Sequence, residues 1–154
     1  MTRLAFLSPS PEAFASPLAR AVGDGVTDVS QLRKLELRGA LDGVTPGAGE
    51  DLLRFAPSRA LLVGEGATEP PSGPGLRVYD MSAALAAFEF EGEDALRRLT
   101  DLEPAQLPAA GAIARGTWAL VEARGDGRFR VFVPRELGHY VVEVVLDTLR
   151  GLGR

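Results

Sequence analysis

The chain has no cysteine, one histidine and one lysine among its 154 residues. The first absence excludes disulfides, thiolate metal ligands and a cysteine nucleophile, and its plain implication is a cytoplasmic protein. The single histidine, His139, leaves no histidine-cluster metal site. Any histidine-based triad would have to use it, yet it stands next to Tyr140 with no serine nearby. A surface or interface place is expected for it rather than general-base duty. A basic excess is missing too: 17 Lys and Arg stand against 21 Asp and Glu, for a net charge of −4. The bases are scattered between acids, so no footprint for a phosphate backbone exists and nucleic acid is not an expected partner. Lys34 is the only lysine, and such a preference for arginine reflects coding bias as readily as bidentate pairing. No stretch approaches the ~20 apolar residues of a membrane span. The run Leu4 to Leu7 is too short for the core of a signal peptide.

What is present is ordinary for a globular domain: 45% hydrophobic and 25% charged residues. The clearest internal break is GEGATEPPSGPG, positions 64 to 75, where glycine and proline interrupt any periodic pattern. It divides a mostly-strand half, 1–63, from a second half, 76–154. In the first half a helix is expected around Pro11 to Val22 and a strand over Leu32 to Gly39. DLLRFAPSRALLVG reads as two short strands turning at Ala56-Pro57-Ser58. In the second half, Leu76 to Tyr79 reads as a strand. Ala86 to Glu91 reads as another, with Phe88 and Phe90 on a buried face and Glu89 and Glu91 on a wet one. A helix follows from about Glu93 to Leu99, its first-turn acids suited to the dipole and Ala95, Leu96 and Leu99 on one face. TWALVEA and RFRVFV flank Arg124-Gly125-Asp126-Gly127, a hairpin signal. The expected class is α+β: two halves of ferredoxin-like character, mostly antiparallel sheet with helices on one face.

The last helix, from about Arg135 to Arg150, is apolar around most of its circumference, leaving a polar stripe through Glu136, His139 or Glu143, Asp147 and Arg150. A helix lying on one sheet needs an apolar arc only somewhat over ~100°, so the wider arc predicts a second contact. Either the N-terminal half or another chain supplies it. Leu137, Tyr140, Val141, Val144 and Val145 are the candidate interface residues. An isolated chain that pairs with itself through this face is a further expectation.

Direct signs of chemistry are sparse. Glu89, Glu91, Glu93 and Asp94 supply carboxylates for a hard cation, but they straddle a strand and a helix without a glycine-centred loop, and a solvated face is expected. GEGATEPPSG lacks the lysine and hydroxyl of a phosphate loop, and its prolines remove amide donors. Trp118 shares a strand face with Leu120, so core packing is expected, with a ligand-stacking platform as the alternative. No catalytic, cofactor-binding or metal-binding residue is assigned.

The run YDMSAALAAFEFEGEDALRRL resembles a passage of the aminomethyltransferase (glycine-cleavage T-protein) superfamily: aspartate-x-serine, a strand, glycine-x-aspartate-alanine, then a helix. Together with SPLARAVGDGVTDVSQLRKLELRG, LLRFAPSRALLVGEG, GTWALVEA and FRVFVPRELGHYVVEVVLDTL, most of the chain resembles the gamma-subunit family of heterotetrameric sarcosine oxidases. That resemblance implies a non-catalytic accessory subunit packing on a large alpha subunit in a complex that oxidises sarcosine. Flavin, NAD and folate would be held by the larger partner subunits and no cofactor by this chain. Two departures stand out. The region in which T-proteins carry a folate-activating acid reads GTWALVEARGDGRFR, with Glu122 and Asp126 nearest, and the arginine-serine common before the last helix is Arg135-Glu136 here. The rival reading is a stand-alone folate-binding or one-carbon transfer protein.

Overall fold

Alternation along the strands decides which layer each side chain enters, and two antiparallel sheets result. The computed structural model describes residues 15–65 and 68–154. In chain order the elements are β1 (Val26–Asp28), β2 (Arg33–Gly39), β3 (Glu50–Ala56), β4 (Arg59–Gly64), β5 (Leu76–Asp80) and β6 (Leu85–Glu91). There follow α1 (Glu93–Leu99), β7 (Ala109–Ile113), β8 (Thr117–Gly125), β9 (Arg128–Pro134) and α2 (Gly138–Gly151). One sheet has five strands in the order β1-β6-β9-β8-β7, and the other has four in the order β3-β4-β2-β5. The fold is α+β.

The five-stranded sheet is buried on both faces. Phe88, Phe90, Val121, Phe129, Val131 and Val133 point to one side, where α1 and α2 cover them with Leu96, Leu99, Val141, Val145 and Leu149. From the opposite face Leu85, Ala87, Leu120 and Phe132 meet Leu53, Leu61 and Val63 of the four-stranded sheet. The second face of β6, expected to be wet, is therefore dry at Leu85 and Ala87. The outer face of the four-stranded sheet keeps a smaller cluster of its own, Leu35, Leu37, Ala60 and Leu62, under Leu41 and Val44 of the β2–β3 connection. The layers thus run helices, sheet, sheet.

The strand-turn-strand around Ala56 to Arg59 and the β8–β9 hairpin form where the sequence places them. The hairpin turns through Gly125, Asp126 and Gly127, all at positive φ. Connectivity differs from a ferredoxin-like half. There the strands flanking a helix run parallel with one strand between them, whereas β6 and β7 here are separated by β9 and β8 in an all-antiparallel ladder. The first four residues of the helix expected around Pro11 to Val22, positions 11–14, lie outside the described residues. Of its remainder, residues 17–21 form turns; the run between Pro17 and Gly23 is too short to carry a helix past its nucleation cost.

Both sheets draw strands from both sides of the 64–75 segment. β1 pairs with β6, and β5 pairs with β2. The far end of that segment docks on the end of β2, where the Ala40 amide donates to the Gly75 carbonyl at 3.0 Å. A Cβ on Gly39 would lie 2.0 Å from that carbonyl oxygen, and its φ is +105°, so this contact requires glycine.

Between β1 and β2 the chain crosses from one sheet to the other, and the only lysine ties the crossing down. Lys34 is fully buried, and its Nζ donates to the carbonyls of Ser30 at 2.6 Å and Leu32 at 2.7 Å. Ser30 in turn donates through its hydroxyl to the Ala87 carbonyl of β6 and accepts from the Ala87 amide. Burial pulls the Lys34 pKa from 10.5 down to about 8, against the opposing pull of Asp28 and Asp80. Between those two values the unfolded chain holds a proton on Lys34 that the folded chain has released, so folding stability attributable to this group rises with pH there. Relative to Lys34→Met, the wild-type protein should gain on the order of 2–3 kcal/mol as pH goes from 7.5 to 10.5. Urea unfolding at stepped pH checks this; parallel curves for the two proteins would refute it.

Candidate functional site

The two ends of the sandwich are built differently. At the end formed by the start of β3 and the end of β8, charges bridge the sheets. Asp51 of β3 accepts from Arg124 Nη1 at 2.7 Å and from Arg130 Nη2 at 2.9 Å, and Glu122 accepts from Arg130 Nε at 2.8 Å. Burial works to raise the Asp51 carboxyl, and the hydrogen bond from Arg130 with the two guanidinium charges overcomes it, so Asp51 sits below the usual carboxylate range.

The other end is open. A groove of about 460 Å³ lies between the end of β2, the start of β4, the start of β6 and the start of β8. Leu61, Leu85 and Leu120 line its depth, and Arg38, Arg59 and Arg135 stand among its polar lining residues. Polar residues at the inward positions of β2 and β4 follow from the pairing register, which sets Glu36 beside Leu61 and Arg38 beside Arg59. Glu36, only 5% exposed, holds two of the arginines in place. Arg38 donates to its two oxygens at 2.9 and 3.0 Å, and Arg59 donates to Oε1 at 2.9 and 2.5 Å. The hydrogen bond from Arg38, helped by Arg59, keeps the Glu36 carboxyl below its ordinary value against the effect of burial. Both guanidinium groups also lie over rings, Arg38 above Tyr79 at 4.9 Å and Arg59 above Phe55 at 5.2 Å. Arg135 has no ion-pair partner among the described residues.

Trp118 corrects an expectation. It does share a face with Leu120, and both line the groove, but Leu120 is buried whereas Trp118 is 41% exposed. The residue expected in the core therefore stands half-exposed in the lining of the groove. Period-two alternation reports the face and not where the covering layer stops.

The five candidate interface residues divide. Val141 and Val145 are completely buried in the protein's own helix-side core, and Val144 packs partly against it. Leu137, 41% exposed, and Tyr140, 40% exposed, are on the surface. Part of the wide apolar arc of α2 is covered by Leu18, Ala21 and Val22. A Cβ on Gly138 would come within 2.8 Å of Leu18 Cδ2 and 3.0 Å of the Ala86 Cβ, which shows how closely the start of α2 is seated. His139 pairs with Glu143 at 3.0 Å on the exposed side of the helix.

Three of the four acids near α1 pair with arginines, Glu93 with Arg97 at 2.9 Å, Asp94 with Arg154 at 3.1 Å and Glu89 with Arg124 at 3.7 Å, while Glu91 is exposed at the end of β6. Among the described residues no group of three or more histidines and acids is placed to hold a metal ion, and no helix is long and apolar enough to cross a membrane. Glu122 faces Arg130 and Arg124, and Asp126 occupies the hairpin turn at φ 53°. Sequence reasoning did not single out Glu36, Arg38 and Arg59; the signal available was three charged residues at inward-facing positions of strands otherwise read as apolar.

These features describe a two-sheet framework with a groove at one end that has an apolar floor and guanidinium groups held by Glu36. No protein-family model matches the chain, and no curated protein does. Among solved structures it is similar to a chain of the heterotetrameric sarcosine oxidase from Corynebacterium sp. U-96, determined in complex with pyrrole 2-carboxylate. The TM-score is 0.67 at 18% identity, covering 92% of this chain and 97% of that one.

Proposed function

We propose that this protein is a subunit of an oxidoreductase complex of the heterotetrameric sarcosine oxidase type, a gamma-like chain that packs on the large alpha subunit and has no catalytic residues of its own. The observation that carries the reading is the end-to-end fold match: 92% of this chain superposes on 97% of a chain belonging to a heterotetramer, so the two are of nearly equal length and architecture. On this reading flavin, NAD and folate belong to the larger chains, the complex is cytoplasmic, and sarcosine or a related N-methyl amine is its substrate.

Affinity capture of the tagged full-length protein from its native host, with mass spectrometry and an absorbance spectrum of the eluate, tests this. The expected outcome is co-purification of larger chains with the yellow absorbance of a flavin. A colourless eluate containing this chain alone overturns the reading. The second reading, a stand-alone folate-binding or one-carbon transfer protein, draws on the groove, whose volume falls within the roughly 300–1,000 Å³ range of small-molecule sites. Calorimetric titration with tetrahydrofolate decides it, since the absence of heat at micromolar concentrations removes that alternative.

A further inference from the structure

Every large hydrophobic residue that is exposed among the described residues gathers at one end of the molecule. There are four: Tyr79, Trp118, Leu137 and Tyr140. Trp118 lines the groove, and Leu137 directly follows Arg135 and Glu136, which also line it. Tyr79 lies beneath the groove arginine Arg38. The Tyr140 hydroxyl is 3.5 Å from the Ala114 carbonyl in the β7–β8 turn, four residues before Trp118. Scattered single apolar residues are normal on a surface, but a gathered set around a concavity marks an interaction site. Tryptophan, tyrosine and arginine are also the side chains that concentrate binding energy in protein interfaces.

The charge at this end is opposite to that of the chain as a whole. Arg38, Arg59 and Arg135 face Glu36 and Glu136, a local balance of +1 on a protein of net charge −4. Glu36 is saturated by its two arginines, so Arg135, which has no ion-pair partner among the described residues, and the remaining guanidinium N–H groups can meet a negative group from outside.

We infer that the groove and its aromatic rim are the docking site for a segment of a larger partner chain that presents an apolar side chain beside a carboxylate. The apolar side chain fills the space over Leu61, Leu85 and Leu120, the carboxylate pairs with Arg135, and Trp118, Leu137 and Tyr140 cover the contact from the rim. The inference rests on the subunit reading above, and names the face through which the subunit would attach.

The test is capture of the tagged full-length chain from its host, comparing wild type with Trp118→Asp, Arg135→Glu and a control, Arg150→Glu, at an exposed position paired only with Asp147. Thermal unfolding of each purified variant verifies the fold. A wild-type chain carrying a photoreactive benzoylphenylalanine at position 118 maps the contact. The expected result is at least tenfold less of the larger chain with Trp118→Asp and Arg135→Glu, none lost with Arg150→Glu, and a crosslink to an acid-containing segment of the larger chain. Folded groove variants that retain the larger chain, or a crosslink to a second copy of this protein, overturn the groove assignment and leave the subunit reading intact. A wild-type chain that captures no larger subunit overturns both.

Discussion

Replacing Arg130 with methionine is expected to lower the unfolding free energy by about 3 kcal/mol or more, because breaking a buried pair leaves its partner charged and dry. Arg130 is 4% exposed and Glu122 7%, and their closest approach is 2.6 Å. With Arg130 gone, Glu122 retains only Arg124 at 3.3 Å, and that arginine is already shared with Asp51. The loss should be much smaller in the double variant Arg130→Met, Glu122→Met, since a well-packed apolar pair can replace a buried ion pair at little net cost. Urea unfolding of the wild type, both single variants and the double variant completes the cycle. A coupling below ~0.5 kcal/mol would show the residues to be energetically independent and sink this account. The same network sets an acid limit. Asp51 is held below its usual range, so its contribution is complete above about pH 4 and is lost as pH falls through the lowered value.

Introducing aspartate at Val145 should be worse, costing more than about 4 kcal/mol and leaving little folded protein, because an unpaired carboxylate would enter an apolar core. Val145 is completely buried among the helix and sheet side chains that make the largest cluster in the molecule. Aspartate at Tyr140 or Leu137, both about two-fifths exposed, should change stability by less than about 1 kcal/mol. Circular dichroism and thermal melts of the three variants check the contrast. A folded, cooperative Val145→Asp protein would mean that α2 is not seated as described. The contrast also separates two roles within one helix: the valines hold the framework together, and the residues at its start remain available to a partner.

How far these arrangements could be read from residue order depends on the range of the interactions behind them. β6, α1, the β8–β9 hairpin and α2 were legible because alternation, helical spacing and the Asp-Gly turn are local signals. β1 is three residues long, and β7 reads AAGAI, with no polar alternation, so neither has a local signature. Their existence depends on partners 64 residues away for Val26 and Phe90, and on a neighbouring hairpin for β7. The breadth of the apolar arc on α2 indicated a second contact supplied by the N-terminal half or by another chain, and telling the two apart for Val141 and Val145 required knowing that Leu18, Ala21 and Val22 join the helix side of the core. The groove was the least legible feature. Trp118 and Leu120 share a face in either case, and what separates them is that Leu120 packs with Leu53, Leu61 and Val63 of the other sheet whereas Trp118 stays 41% exposed.

The exchange of strands across the glycine- and proline-rich segment makes the protein its own complementation pair. A backbone cut between β4 and β5, in residues 65–75, would yield one fragment holding β1 without β6 and another holding β5 without β2. Neither fragment could complete a sheet by itself, yet together they carry every ladder of the intact molecule, so reassembly of the two pieces would depend on each finding the other.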